Sequence, residues 1–179
     1  MASYRNKLPA ASGGAVIKSV QRGLSELSGG SSLSVTINPV DMSRSVLLIS
    51  ISAETGLSTD SPASAVCSAR LASKTSIFIY RQISSPQPLY VSWEVVEYES
   101  GVSVQRGIIS SSGTLFSATI SAIDTSKSYS TCTSSPDGSS ATAMRAQVYG
   151  RVSSSTGLTF WRSTDYGSIS IDWQVVSYV

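Results

Sequence analysis

Three closely spaced glutamates, Glu94, Glu97 and Glu99, and about 40 serines are the residues of this chain whose types and spacing offer chemistry. Paired carboxylates can share the acid and base work of glycoside hydrolysis. A serine hydroxyl becomes a nucleophile once a base takes its proton. The chain has no histidine, so that base would have to be lysine, aspartate or glutamate. Lys18, Lys74 and Lys127 stand in no serine–lysine motif with supporting residues. Glu94 falls on the face of its strand opposite Glu97 and Glu99, and the three read as a solvated strand face. Without imidazole there is no histidine metal ligand and no near-neutral proton switch. Cys67 and Cys132 are too few for a four-thiolate zinc site and are not spaced as a redox pair. They read as small buried hydrophobes, a bridge between them staying open. The expectation is a protein that is not an enzyme and holds no cofactor or metal.

Charge and hydropathy narrow the partners. A net charge of +2, with 13% charged residues, gives no basic footprint for nucleic acid. The apolar share of 41% is enough for a packed core despite the serine excess. No apolar run is longer than Val46–Ile49, against the roughly 20 residues of a spanning helix, so membrane insertion is not expected. The first residues, Met1 to Lys7, carry positive charge but no apolar segment follows, and they read as no secretory signal.

The elements that must position these residues come as a repeat. Ser19-Val20-Gln21-Arg22-Gly23 recurs unchanged as Ser103-Val104-Gln105-Arg106-Gly107. The stretch Val35 to Ser45, with Asp41-Met42-Ser43-Arg44, matches Ala118 to Ser128, with Asp124-Thr125-Ser126-Lys127. Each copy closes alike, on Trp93-Glu94-Val95-Val96-Glu97-Tyr98 and on Trp173-Gln174-Val175-Val176-Ser177-Tyr178. The order is collinear, so the chain reads as an N-terminal arm, 1–15, followed by two units, 16–99 and 100–179, related by internal duplication. The arm reads either as an extended segment docking on neighbouring subunits or as a disordered terminus.

Both units read as β. Leu33, Val35 and Ile37 alternate with polar residues, as do Phe116, Ala118 and Ile120. In the closing strands Leu89, Val91, Trp93 and Val95 share a face, as do Ile169, Ile171, Trp173 and Val175. The opposite face is polar early and apolar late, at Val96 and Tyr98 and at Val176 and Tyr178, so the strand ends are expected to enter another contact. Val20–Leu27 reads as a strand; further strands are expected at Val46–Ser52, Ala65–Leu71, Ser76–Gln82, Ala143–Gly150 and Gly157–Arg162. Ser84-Ser85-Pro86-Gln87-Pro88 and Ser134-Ser135-Pro136-Asp137-Gly138 read as turns between them. The fold class is therefore all-β, two tandem antiparallel β-sandwiches. Units this small, with few charges to guard their sheet edges, favour an oligomer.

Three further repeat positions are candidates. Asp41 and Asp124 fit an Asp-x-Ser turn, with a local ion pair to Arg44 or Lys127, in preference to a ligand or metal contact. Trp93 and Trp173 read as core. Trp161, flanked by Phe160 and Arg162 near Tyr166, and its counterpart Tyr80 beside Arg81, fit stacking on a sugar ring, a protein interface, or core packing at the strand's end.

The series Gln-Arg-Gly, Asp-x-Ser-Lys-Ser and Trp-x-Val-Val-Glu-Tyr resembles small virion proteins of tailed bacteriophages, found around tail fibres, tail tips and capsid surfaces. Leu158-Thr159-Phe160-Trp161 with Ser168 to Trp173 is similar to the final strands of H-type lectin β-sandwiches. The resemblance implies a virion structural protein assembled in the host cytoplasm, acting as a tail- or fibre-associated attachment or receptor-binding component. The alternative it leaves is capsid decoration, without a receptor role. It implies a homotrimer or higher ring, other virion proteins as partners, and a host cell-surface glycan as the ligand class.

Overall fold

The computed structural model describes residues 14–53, 62–82, 84–137, 147–163, 165 and 167–179. Most of the expected arm, Tyr166, and the first residues of the strand expected at Ala143 lie outside these.

Among the described residues the chain is almost wholly antiparallel β. The first half contains β1 (Val16–Leu27), β2 (Ser32–Thr36), β3 (Ser45–Ala53), β4 (Ser68–Ser73), β5 (Ser76–Tyr80) and β6 (Leu89–Ser100). The second contains β7 (Val102–Ser111), β8 (Leu115–Thr119), β9 (Ser128–Asp137), β10 (Val148–Ser154), β11 (Gly157–Arg162) and β12 (Ser168–Tyr178). Two three-stranded sheets, β1-β6-β3 and β2-β5-β4, face each other in the first half; β7-β12-β9 and β8-β11-β10 repeat that order in the second. Each pair encloses an apolar core, one built on Ile77, Ile79, Val91 and Trp93, the other on Leu158, Phe160, Ile171 and Trp173. This is the sandwich that period-two alternation dictates: every second residue turns inward.

The repeated motifs are the fastenings of each sandwich. Gly23 lies opposite Trp93 in the β1–β6 register and Gly107 opposite Trp173 in β7–β12. A Cβ on Gly23 would sit 2.3 Å from the Trp93 ring, and one on Gly107 2.4 Å from Trp173, so only glycine leaves room for the indole. Gln21 brackets the chain at Asn38: its amide donates to the Asn38 carbonyl at 3.0 Å and accepts from the Asn38 N–H at 2.7 Å. Gln105 does the same at Ser121, at 3.0 and 2.7 Å. Asp41 accepts from the Ser43 N–H and hydroxyl at 2.9 and 2.6 Å, capping a 3-10 turn, Met42–Arg44. Asp124 repeats this on Ser126 ahead of Thr125–Lys127. Asp41 adds an ion pair with Arg44 at 3.8 Å. The turn reading of both aspartates is what the structure has.

Some expectations needed correction. β9 runs Ser128–Asp137, through the cluster that reads as a turn in sequence. Pro136 is tolerated because β9 is the outer strand of β7-β12-β9, where one side of the backbone needs no ladder donor. Residues Pro62–Ala65 form a 3-10 turn and the strand expected from Ala65 begins at Ser68. Glu97 is not part of a solvated face: it is buried, accepting from Lys18 Nζ at 3.0 Å, Ser19 Oγ at 3.1 Å and the Asp41 N–H at 2.9 Å. Cys67 is buried and Cys132 half-buried, both as free thiols. Burial pushes the Cys67 thiol up to about 12, keeping it protonated and unreactive.

The halves meet unlike face to unlike face. The first presents strand edges; the second presents side chains from the outer face of β7-β12-β9. Gln174 accepts from the Leu47 N–H at 3.0 Å and donates to its carbonyl at 2.8 Å. Thr133 Oγ1 does both to Ala69, at 3.0 and 3.2 Å. Arg106 donates to the carbonyls of Met42 and Ser45, at 2.5 and 2.6 Å, and Arg70 pairs with Asp172 at 3.3 Å. Val46, Val102, Val104 and Val176 bury an apolar seam there, with Tyr98 packed against it. Of the late apolar residues of the closing strands, Tyr98 and Val176 enter this seam, while Val96 stays half-buried and Tyr178 is 42% exposed.

Candidate binding surface

Strand alternation decides what surrounds Trp161. Phe160 and Arg162 point into the second sandwich; Trp161 points out. Phe160 is fully buried and stacks on Phe116, centroids 5.6 Å apart. In register, Trp161 lies between Leu115 on β8 and Tyr149 on β10. The three form a row across the outer face of the β8-β11-β10 sheet, with exposures of 65% for Leu115, 42% for Trp161 and 55% for Tyr149. The Trp161 and Tyr149 rings are 5.4 Å apart and tilted by 32°. Beside them is a shallow hollow of about 250 Å³ lined by Gln147, Val148, Tyr149, Trp161 and Ser163. An open aromatic face of this kind offers stacking area and ring edges at low conformational cost, suiting a sugar face or a protein surface.

Arg162 does not join this surface. It is 1% exposed, and its guanidinium donates to the carbonyls of Gly113 at 2.9 Å, Ser112 at 2.6 Å and Gly167 at 2.6 Å. It ties the β7–β8 loop to the approach to β12, holding the row's sheet in place from behind. Burial lowers its pKa from the usual arginine value, partly opposed by the Asp165 charge; it stays protonated throughout the physiological range. Arg81 repeats the arrangement in the first half, donating to the carbonyls of Gly30, Gln87 and Ser85 at 2.9, 3.0 and 2.6 Å. Both arginines therefore act on backbone carbonyls inside the fold rather than as surface contacts.

The first half lacks the row. Tyr80 is half-buried, stacked 6.3 Å from Phe78 and bonded through its hydroxyl to Gln82. Its cross-strand neighbours are Ser32 and Ser68, small where Leu115 and Tyr149 are large. Phe78 is covered by the Arg70 guanidinium, 4.6 Å from its ring centroid. So Trp161 is brought together with Leu115 and Tyr149, Tyr80 stands apart on the other sandwich, and Tyr166 lies outside the described residues. Leu115 and Tyr149 are the contacts that sequence reasoning missed. The signal for Leu115 was its place out of phase with Phe116, Ala118 and Ile120.

Among the described residues no three histidine, cysteine or carboxylate side chains gather as a metal site, and no helix is long and apolar enough to cross a membrane. Compared with protein-family models, curated proteins and solved structures, the chain matches none.

Proposed function

We propose that this chain is a structural component of a tailed-phage virion, working at the tail or fibre as an attachment component that recognises a surface rather than transforming a substrate. The observation that carries the reading is the exposed row Leu115–Trp161–Tyr149, displayed on a rigid sheet and absent from the otherwise matching first half. Its support from sequence is the likeness of the repeated motifs to small virion proteins. The common strand order of the halves supports an internal duplication, with the exposed aromatic row on the second copy alone.

The test is adsorption. Particles carrying Trp161→Ala or Tyr149→Ala are expected to assemble normally and adsorb to host cells at least about tenfold more slowly, the loss of a stacking platform. Unchanged adsorption by the double variant retires the row. Labelled protein imaged on the head lattice would replace attachment with capsid decoration.

A further inference from the structure

We infer that a second copy of this chain docks its second half onto the outer face of the first half's β1-β6-β3 sheet, repeating between chains the junction that joins the two halves within one. The inference deepens the assembly side of the reading above and rests on it only for its setting in a virion.

The internal junction is of the unlike-surface type. One half supplies the edges of β3 and β4 with the 3-10 turn before β3, and the other supplies the outward side chains of β7, β12 and β9. A junction between unlike surfaces on two like-built halves leaves one copy of each surface unused. The unused seat is the part of the outer face of β1-β6-β3 that runs from Val20 and Val96 past Arg22 and Glu94, beyond Val46 and Tyr98, which already pack in the valine seam. There Arg22 stands where the second half has Arg106, Glu94 where it has Gln174, Ser50 where it has Thr133, and Val20 and Val96 where it has Val104 and Val176. In the occupied seat Val104 is 7% exposed and Val176 fully buried. In the open seat Val20 and Val96 are half-buried, Leu24 is 70% and Leu48 42% exposed, and the Arg22 and Glu94 side chains are 66% and 42% exposed.

The unused plug is the β9 and β10 edge with the turn Thr125–Lys127. Ser130 corresponds to Leu47, Gly150 to Ala69 and Arg151 to Arg70. Arg151 is exposed and has no ion pair among the described residues, as Arg70 has with Asp172. Charge fits the seat: Glu94 lies two residues along the same face from Ser92, the counterpart of Asp172. Arg22 and Glu94 now bond each other at 2.7 Å. On docking, Arg22 takes the Thr125 and Ser128 carbonyls as Arg106 takes those of Met42 and Ser45. Glu94 then receives Arg151 and the Ser130 N–H. The Ser130 hydroxyl, now 3.3 Å from the Gly150 carbonyl, gives up that bond as the plug opens.

The purified full-length chain, measured by light scattering and native mass spectrometry across a concentration series, tests this. Wild type is expected to form species heavier than one chain. Glu94→Arg spoils only the seat and Arg151→Glu only the plug, so each alone should weaken association by at least about tenfold. An equimolar mixture should form heterodimers, because the Arg151→Glu protein keeps a good seat and the Glu94→Arg protein a good plug. The double variant E94R/R151E should regain the wild-type mass. A wild-type chain that stays monomeric at tens of micromolar, or single variants with unchanged mass, would overturn the inference. Single variants that fail to complement in the mixture would overturn its unlike-surface geometry. Trp161→Ala should leave the mass unchanged, so failure of assembly and failure of the attachment surface are read separately.

Discussion

At the residue scale, the motif residues turn out to be fastenings, and the side chains the sequence marks for surface work divide into one that does it and one that does not. Arg162 and Trp161 are adjacent yet have opposite fates, because successive strand residues face opposite ways. Arg162→Ala removes a fully buried side chain and its three hydrogen bonds to the Gly113, Ser112 and Gly167 carbonyls, and is expected to cost about 3 kcal/mol in denaturant unfolding. Arg162→Lys should recover little of that, since an ammonium cannot reproduce the fork. Trp161→Ala, exposed, should stay within about 1 kcal/mol of wild type. Glu97 gives a pH signature. Burial raises its pKa, but the bonds from the Asp41 N–H, Lys18 and Ser19 together outweigh that and hold it below the usual glutamate value. A folded-state value below the unfolded one means the contribution is present above the unfolded value, near 4.5, and fades as pH falls through the folded one. Wild-type stability should therefore decline below about pH 4.5 more steeply than that of Glu97→Gln, a difference readable from unfolding midpoints across that range.

At the element scale, the Gln-Arg-Gly motif explains itself once β1 lies against β6 and β7 against β12. Glycine and tryptophan are far apart in sequence but directly opposed in register. Gly23→Ala and Gly107→Ala each force the indole or the strand to move, and each is expected to cost about 1–3 kcal/mol by thermal or denaturant unfolding. A loss below about 0.5 kcal/mol in both would show that the ring finds another position. The strand Val46–Ser52 was legible as a short apolar run and Gly157–Arg162 by the alternation of Leu158 and Phe160 with polar Thr159. β9 was not: Ser134, Ser135 and Pro136 carry the local signature of a turn, and only pairing with β12 makes them strand. Glu97 was misread for the same reason. Its carboxylate belongs with a solvated face in sequence terms, while the Asp41 turn and Lys18 converge on it only in the folded sandwich.

At the scale of the whole molecule, the valine seam and the Gln174 clamp make the described halves one packed body. The chain is expected to unfold in a single calorimetric transition. Val46→Asp, placing an unpaired carboxylate in the seam, should separate it into two or lower its midpoint sharply. A single transition at an unshifted temperature would show that the halves do not depend on this contact.

The sequence by itself determined the alternating strands, their inward faces and the collinear motifs, because alternation and turn chemistry are local and repeat wherever the same residues recur; β9, whose local signature is a turn, it did not. It also placed an apolar contact at the ends of the closing strands. Only the tertiary structure decided which surfaces are used. Arg22 and Arg106 share one motif, yet Arg22 bonds an exposed glutamate and Arg106 holds two carbonyls of the other half. Trp161 and Tyr80 share one strand position, yet only Trp161 stands in an exposed apolar row. These differences come from neighbours distant in the chain, and a neighbour's size and charge act only where folding has brought it within contact distance.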